Sequence, residues 1–140
     1  MSDLGFTHIA LPATQVDKSI AFYAKYAHMK VIHRRTDPTI QSDVVWLSDL
    51  TRPFIIVLIE RSEVDAPLLP IAHLGIGVAS REEVNQLCQE ARLEGVLING
   101  PNEGDSTVGY WAFLKDPDGH TLEVSYGQEV GFAVQQAIQP

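Results

Sequence analysis

The sequence predicts an α+β fold built from two tandem βαβββ modules. Three observations carry that expectation: the order strand, helix, three strands occurs twice; landmark residues recur at one period; and apolar residues fall at helix or strand spacing in each segment. His8 and His73 lie 65 positions apart, Glu60 and Glu123 lie 63 apart, and the expected helix caps Thr14 and Ser80 lie 66 apart. One such pair arises easily by chance, whereas agreement of all three is far less expected.

In the first module, residues 6–11 form a short apolar strand and residues 12–15 a polar break. Val16, Ile20, Tyr23, Ala24 and Ala27 then recur at three and four positions, which marks a helix with one buried face. Thr14, three residues before Asp17, is the expected N-cap. Segments 30–34, 43–48 and 53–60 are rich in Val, Ile, Trp or Phe and are bounded by turn formers, so they read as strands. Residues 63–70, with Pro67 and Pro70, form the linker.

The second module repeats this order. Residues 71–78 are an apolar strand, Ser80 and Glu83 make a full capping box, and Val84, Leu87, Cys88, Ala91 and Leu93 mark a helix stopped by Gly95. Segments 96–99, 108–115 and 121–126 supply three strands, the last two joined by Asp116-Pro117-Asp118-Gly119, whose Pro and Gly favour a tight turn. Residues 128–140 form a weakly amphipathic tail expected to pack over the sheet or a partner chain. The expected organisation is one domain over residues 1–140: module one 5–62, linker 63–70, module two 71–126 and tail 127–140.

A chain of 140 residues with 45% apolar content buries one core and is short for two independent domains. A net charge of −8 provides no basic stripe to follow a phosphate backbone, so nucleic acid is not an expected partner. The first five residues lack the basic and apolar regions of a signal peptide, and the apolar run 54–59 is far below membrane-spanning length. A cytoplasmic protein without a membrane partner is expected. Cys88, the single cysteine, falls in a helical pattern and reads as a buried small hydrophobe.

Strand parity lets His8, Glu60, His73 and Glu123 each point inward, because Phe6, His8 and Ala10 share one face, as do Ile56, Leu58 and Glu60, and Thr121, Glu123 and Ser125. Two inward carboxylates near each other need a cation or proton to offset their charge. Two His and two Glu suit a divalent metal such as Zn, Ni, Co, Mn or Fe(II), and an octahedral ion would leave positions for water or a chelating substrate. Any one of the four alone reads more readily as a core histidine or a solvated carboxylate than as a ligand; Glu60, at a strand end beside Arg61, is open to surface pairing. His28, His33 and His120 read as structural or solvated. Trp46, Tyr110, Trp111 and Phe113 read as core, with an apolar pocket lining as the alternative.

These residues carry a resemblance to the vicinal oxygen chelate superfamily, which includes glyoxalases, bleomycin-resistance proteins and extradiol dioxygenases. Thr7-His8-Ile9-Ala10-Leu11 and Ala72-His73-Leu74-Gly75-Ile76 open the two modules, and Lys115-Asp116-Pro117-Asp118-Gly119-His120-Thr121-Leu122-Glu123 closes the second as that family does. Ser19-Ile20-Ala21-Phe22-Tyr23 and Met29-Lys30-Val31 are also similar to it. The resemblance spans residues 5–126 and implies a cupped, barrel-like sheet around a central cavity with a metal between the modules. It also implies a small-molecule substrate and a homodimer.

Glyoxalase I uses two His and two Glu, and Glu60 is matched to its first-module glutamate; dioxygenases and fosfomycin enzymes generally use three protein ligands. By its ligand set the chain is therefore nearest to glyoxalase I. The resemblance implies a metal-dependent isomerase or lyase in which two substrate oxygens chelate the ion, Glu60 or Glu123 takes the carbon-bound proton, and the metal holds an enediolate. The alternatives are a drug-sequestering binding protein of the bleomycin-resistance type and a single-domain Fe(II) extradiol dioxygenase. Phe113 stands near the place where a dioxygenase would carry its acid-base tyrosine.

Overall fold

Both strand-helix-three-strand orders form, followed by a third helix. The computed structural model describes residues 5–105 and 107–139. The first order comprises β1 (His8–Ala13), α1 (Val16–Ala27), β2 (Lys30–Asp37), β3 (Ser42–Ser48) and β4 (Ile55–Glu60). The second comprises β5 (Leu74–Gly77), α2 (Arg81–Glu94), β6 (Leu97–Glu103), β7 (Tyr110–Lys115) and β8 (Thr121–Tyr126), and α3 (Val130–Ile138) ends the described chain. Each order makes one four-stranded sheet, β1-β4-β3-β2 and β5-β8-β7-β6. In each sheet the first strand lies parallel to the last, and the other pairings are antiparallel. The parallel pairing follows from chain length: the helix and two strands intervene, which is ample for a crossover where a tight hairpin is not possible.

The chain divides into two compact units, one running to Pro67 and including Asp116–His120, the other made of Leu68–Lys115 and the residues from Thr121 onward. In the first unit, one sheet face packs under α1. Leu11, Ala13, Val45, Leu47, Ile56 and Leu58 alternate along their strands to fill it, and Phe22, Tyr23 and Tyr26 come down from the helix.

Thr14 is not the cap of α1. Gln15 holds that place without a side-chain hydrogen bond. The Thr14 hydroxyl instead donates to Asp118 Oδ1 at 2.6 Å, and its N–H reaches both oxygens of that carboxylate at 3.2 Å. A charged acceptor outcompetes the weaker local bond that a cap provides.

That contact belongs to a network which makes the Asp116–His120 turn part of the first unit. The Tyr23 hydroxyl donates to Asp116 Oδ2 at 2.8 Å, while Asp116 Oδ1 accepts from the N–H groups of Asp118 and His120. The buried His120 ring meets the Pro12 carbonyl at 3.0 Å, a structural role as its position after a turn suggests. Burial, reinforced by the neighbouring Asp116 charge, pushes the Tyr23 hydroxyl well above the usual tyrosine range, so it remains a proton donor.

In the second unit the helix signals hold. Ser80 caps α2 by accepting from the Glu83 N–H at 3.1 Å, and Gly95 ends it in the left-handed conformation at φ 74°, its N–H reaching the Ala91 and Arg92 carbonyls. Val84, Leu87, Cys88 and Ala91 pack with Ala112, Leu114, Leu122 and Val124. Burial also raises the Cys88 thiol pKa, in keeping with an inert core cysteine.

The aromatic residues depart from expectation. Tyr110, Trp111 and Phe113 are half-buried and Trp46 is exposed. The reason is parity: Ala112 and Leu114 take the fully buried places on β7, so Trp111 and Phe113 stand on the other face. α3 buries none of its residues, so of the two expectations for the tail, packing over the sheet or over a partner chain, the first does not hold. Among the described residues no helix is long and apolar enough to cross a membrane.

Candidate metal centre

In the second unit, the sheet brings His73 and Glu123 together. β5 and β8 pair with Gly75 opposite Glu123, so His73, two residues before Gly75, stands on the same face as the carboxylate. His73 Nε2 lies 3.8 Å from Glu123 Oε2. Glu123 is 9% exposed, its Oε2 accepts from the Gln128 side chain at 3.2 Å, and no Lys or Arg among the described residues pairs with it. Gly75 leaves room for it: a Cβ there would meet Glu123 Oε2 at 3.4 Å.

The His73 ring is oriented from behind. Its Nδ1 lies 2.8 Å from the Pro70 carbonyl, a contact that requires the proton on Nδ1 and leaves the Nε2 lone pair facing Glu123 in the neutral ring. Two acceptors aimed at each other, too far apart for a hydrogen bond, suit a cation bound to both, since such bonds are about 2.0–2.2 Å long. A backbone carbonyl bonded to the far ring nitrogen of a ligand histidine is a common arrangement at metal centres. The donor set thus fits a divalent ion.

The first unit offers a different picture. His8 begins β1, exposed, with Nδ1 2.9 Å from the Thr7 hydroxyl. In the parallel pairing of β1 and β4, His8 lies opposite Ile55, Ala10 opposite Val57 and Ala13 opposite Glu60. Glu60 is therefore five positions along from the His8 level, or roughly 16 Å at the usual rise per residue. Five is also odd, so Glu60 shares the face of Ala13 and Leu58 rather than that of His8.

The match of Glu60 with Glu123 consequently fails. The residue two beyond the module histidine is Gly75 opposite Glu123 in one sheet and Ala10 opposite Val57 in the other, and Val57 occupies the equivalent place. Glu60 instead borders an open polar groove of about 420 Å³ with Thr14, Ser42, Arg61 and Ser62. Neither unit by itself gathers three His, Cys, Asp or Glu side chains around one point among the described residues.

Two features of the site, the Gln128 contact and the place of Val57, escaped sequence reasoning, and Phe113 entered it only as an alternative pocket lining and without its contact to His73. Gln128 holds Glu123 from beyond β8, and no pattern announces such a contact. Phe113 pairs with Glu123 across β7 and β8, placing its ring 5.1 Å from the His73 ring and 4.7 Å from Trp111. For the place of Val57 a signal existed: 123 − 57 is 66, the spacing of Thr14 and Ser80, whereas Glu60 and Glu123 differ by 63.

The chain thus carries two βαβββ modules, with a histidine at or just before the first strand of each and a glutamate on the last strand of the second. The model of the Glyoxalase/Bleomycin resistance protein/Dioxygenase superfamily matches residues 5–124, and the chain belongs to that superfamily. It is 35% identical to an uncharacterized protein of Pseudomonas aeruginosa over 89% of this chain and 90% of the relative. It is 28% identical to a lactoylglutathione lyase of Escherichia coli over 89% of this chain and 93% of that enzyme. The fold is also that of the fosfomycin resistance protein FosX of Listeria monocytogenes, crystallised with Mn(II) and sulfate, at a TM-score of 0.68, 21% identity and coverage of 88% of this chain and 92% of that one.

Proposed function

We propose that the chain is a divalent-metal-dependent enzyme acting on a small substrate with two chelating oxygens, with His8, His73 and Glu123 as protein ligands and Glu60 outside the site. The observation that carries this reading is the His73–Glu123 pair, an acceptor facing a nearly buried carboxylate that no Lys or Arg neutralises among the described residues. Superfamily membership and the Mn(II) recorded with FosX support a metal of the Zn, Ni, Co, Mn or Fe(II) group.

A divalent ion would polarise the substrate carbonyl and offset negative charge beside it. The protein residues do the rest. Glu123 takes the proton from the hydroxyl-bearing carbon next to the carbonyl and returns it to the carbonyl carbon, while the hydroxyl proton passes to the former carbonyl oxygen, which is isomerisation of the lactoylglutathione lyase type. Gln128 steadies Oε2 by donating to it, and the Pro70 carbonyl keeps the His73 ring in its tautomer. Phe113 lies against His73 and limits water there.

A second reading is favoured by Val57. With valine at the place of a fourth ligand, three protein ligands remain, the number fosfomycin enzymes generally use; opening an epoxide by water or a thiol is then the reaction, with Glu123 as ligand only. Metal analysis of protein purified without added ions, followed by turnover of the methylglyoxal–glutathione hemithioacetal and of fosfomycin, tests both. One equivalent of metal and isomerisation abolished by Glu123→Gln support the first reading. Metal with turnover of fosfomycin alone selects the second, and protein that neither retains nor takes up metal overturns both.

A further inference from the structure

The groove beside Glu60 gathers opposite charges that the metal reading leaves unused. Pairing of Ala13 with Glu60, extended by the bond from the Arg61 N–H to the Ala13 carbonyl at 2.9 Å, brings Thr14 alongside Arg61. The register that sets Val44 opposite Ile59 carries Ser42 to the same level from the other side. Thr14, Ser42 and the run Glu60-Arg61-Ser62 thus converge on about 420 Å³ of open space. All five belong to the first unit, and Glu60 stands on the opposite sheet face from His8.

Two of the lining hydroxyls have already committed their protons. Thr14 Oγ1 donates to Asp118 Oδ1 at 2.6 Å, and Ser42 Oγ donates to the Ile40 carbonyl at 3.3 Å. A hydroxyl has one proton, so what each offers a further partner is a lone pair. With the Glu60 carboxylate they supply three acceptor groups, matching the three donors of an ammonium group. Arg61 is the cation among the lining residues, with Ser62 next to it. Among the described residues neither the Glu60 carboxylate nor the Arg61 guanidinium forms an ion pair or a side-chain hydrogen bond. Both charges are therefore available to a ligand.

The pattern of sign narrows what that ligand is. A simple anion is repelled by Glu60 and a metal or plain ammonium ion by Arg61, so each gains at one pole and loses at the other. A molecule carrying both charges gains at both. The lining residues are all polar, so a large hydrocarbon substituent finds no apolar wall.

We propose that this groove binds a small polar zwitterion of the free α-amino acid class, with its ammonium group at Glu60, Thr14 and Ser42 and its carboxylate at Arg61. The site is separate from the proposed metal centre and needs no metal.

Glycine and serine are the probes, and acetate and methylammonium carry one of the two charges each. Titrations of the full chain in the presence of a chelator are followed by NMR, with the amides of Thr14, Ser42 and Ser62 as reporters. The amino acids are expected to bind about tenfold more tightly than either single-charge ion, and Glu60→Gln and Arg61→Gln should each remove that preference. Neither side chain is bonded to another, so both variants should keep the parent's amide spectrum away from the groove. No saturable shift with the amino acids, affinity no better than that of acetate or methylammonium, or a preference that persists in either variant overturns the proposal. Tighter binding of leucine than of glycine would overturn the polar class of ligand.

Discussion

The two sheets share strand order and pairing sense, yet they differ at the position on which the proposed chemistry depends. Opposite the residue two beyond the module histidine stands Glu123 in one and Val57 in the other. The neighbouring β1 or β5 residue changes with it, Gly75 making room for the carboxylate where Ala10 stands beside valine. The strand next door again carries an aromatic, Phe113 against Glu123 and Trp46 against Val57, and the rings meet His73 and His33 respectively. The repeat has thus kept its packing scheme while the acidic function resides in one copy. A duplicated scaffold constrains which way a residue points, whereas each copy is free in what that residue is.

Substitutions at the equivalent places break or sharpen this contrast. Glu123→Gln should have the largest effect, weakening metal binding on the order of 100-fold or more with loss of turnover. The amide keeps an acceptor for Gln128, so thermal melting should move little; competition with a chelator measures the affinity, and unchanged affinity would remove Glu123 from the site. Val57→Glu is the converse test. It sets a carboxylate level with Ala10 on the His8 face, and the expected gain is about tenfold in metal affinity by the same assay. No gain would show that the two register positions are not interchangeable.

The remaining contrasts concern stability. Tyr23→Phe removes a buried hydrogen bond to a charged acceptor and should cost about 1.5–3 kcal/mol in urea unfolding. Among the described residues the second sheet shows no buried tyrosine–aspartate hydrogen bond of this kind. Ser80→Ala should cost about 1 kcal/mol through loss of the α2 cap, whereas Gln15→Ser at the uncapped start of α1 should leave stability equal or higher. Glu60→Gln is the smallest change, within about 0.5 kcal/mol and with metal affinity unchanged. A clear loss of metal affinity in that variant would return Glu60 to the ligand set.

Much of this molecule was legible before its tertiary structure. The two βαβββ orders, the Ser80 cap, the Gly95 stop, buried Cys88 and the last strand, residues 121–126, all follow from local patterns in which neighbouring residues suffice. The nearness of His73 to Glu123 was legible through strand parity, which turns both to one face, whereas the period that matched Glu60 with Glu123 misled. What failed were inferences that needed a distant partner. Thr14 has the composition of a cap, but Asp118, 104 positions away, claims its hydroxyl. Trp111 and Phe113 have the composition of core residues, but α2 packs on the opposite face of their strand.

Composition, periodicity and caps thus determined the kinds and order of the elements, since these depend on side chains within a turn or a strand of one another. The tertiary structure alone decided the register of β1 on β4, and with it the exclusion of Glu60 and the place of Val57. Strand pairing joins segments far apart in the chain, and a displacement by an odd number of residues turns a side chain to the other face. A glutamate three positions too late in its strand resembles a ligand in sequence, while its pairing partner, Ala13, places it on the far side of the sheet.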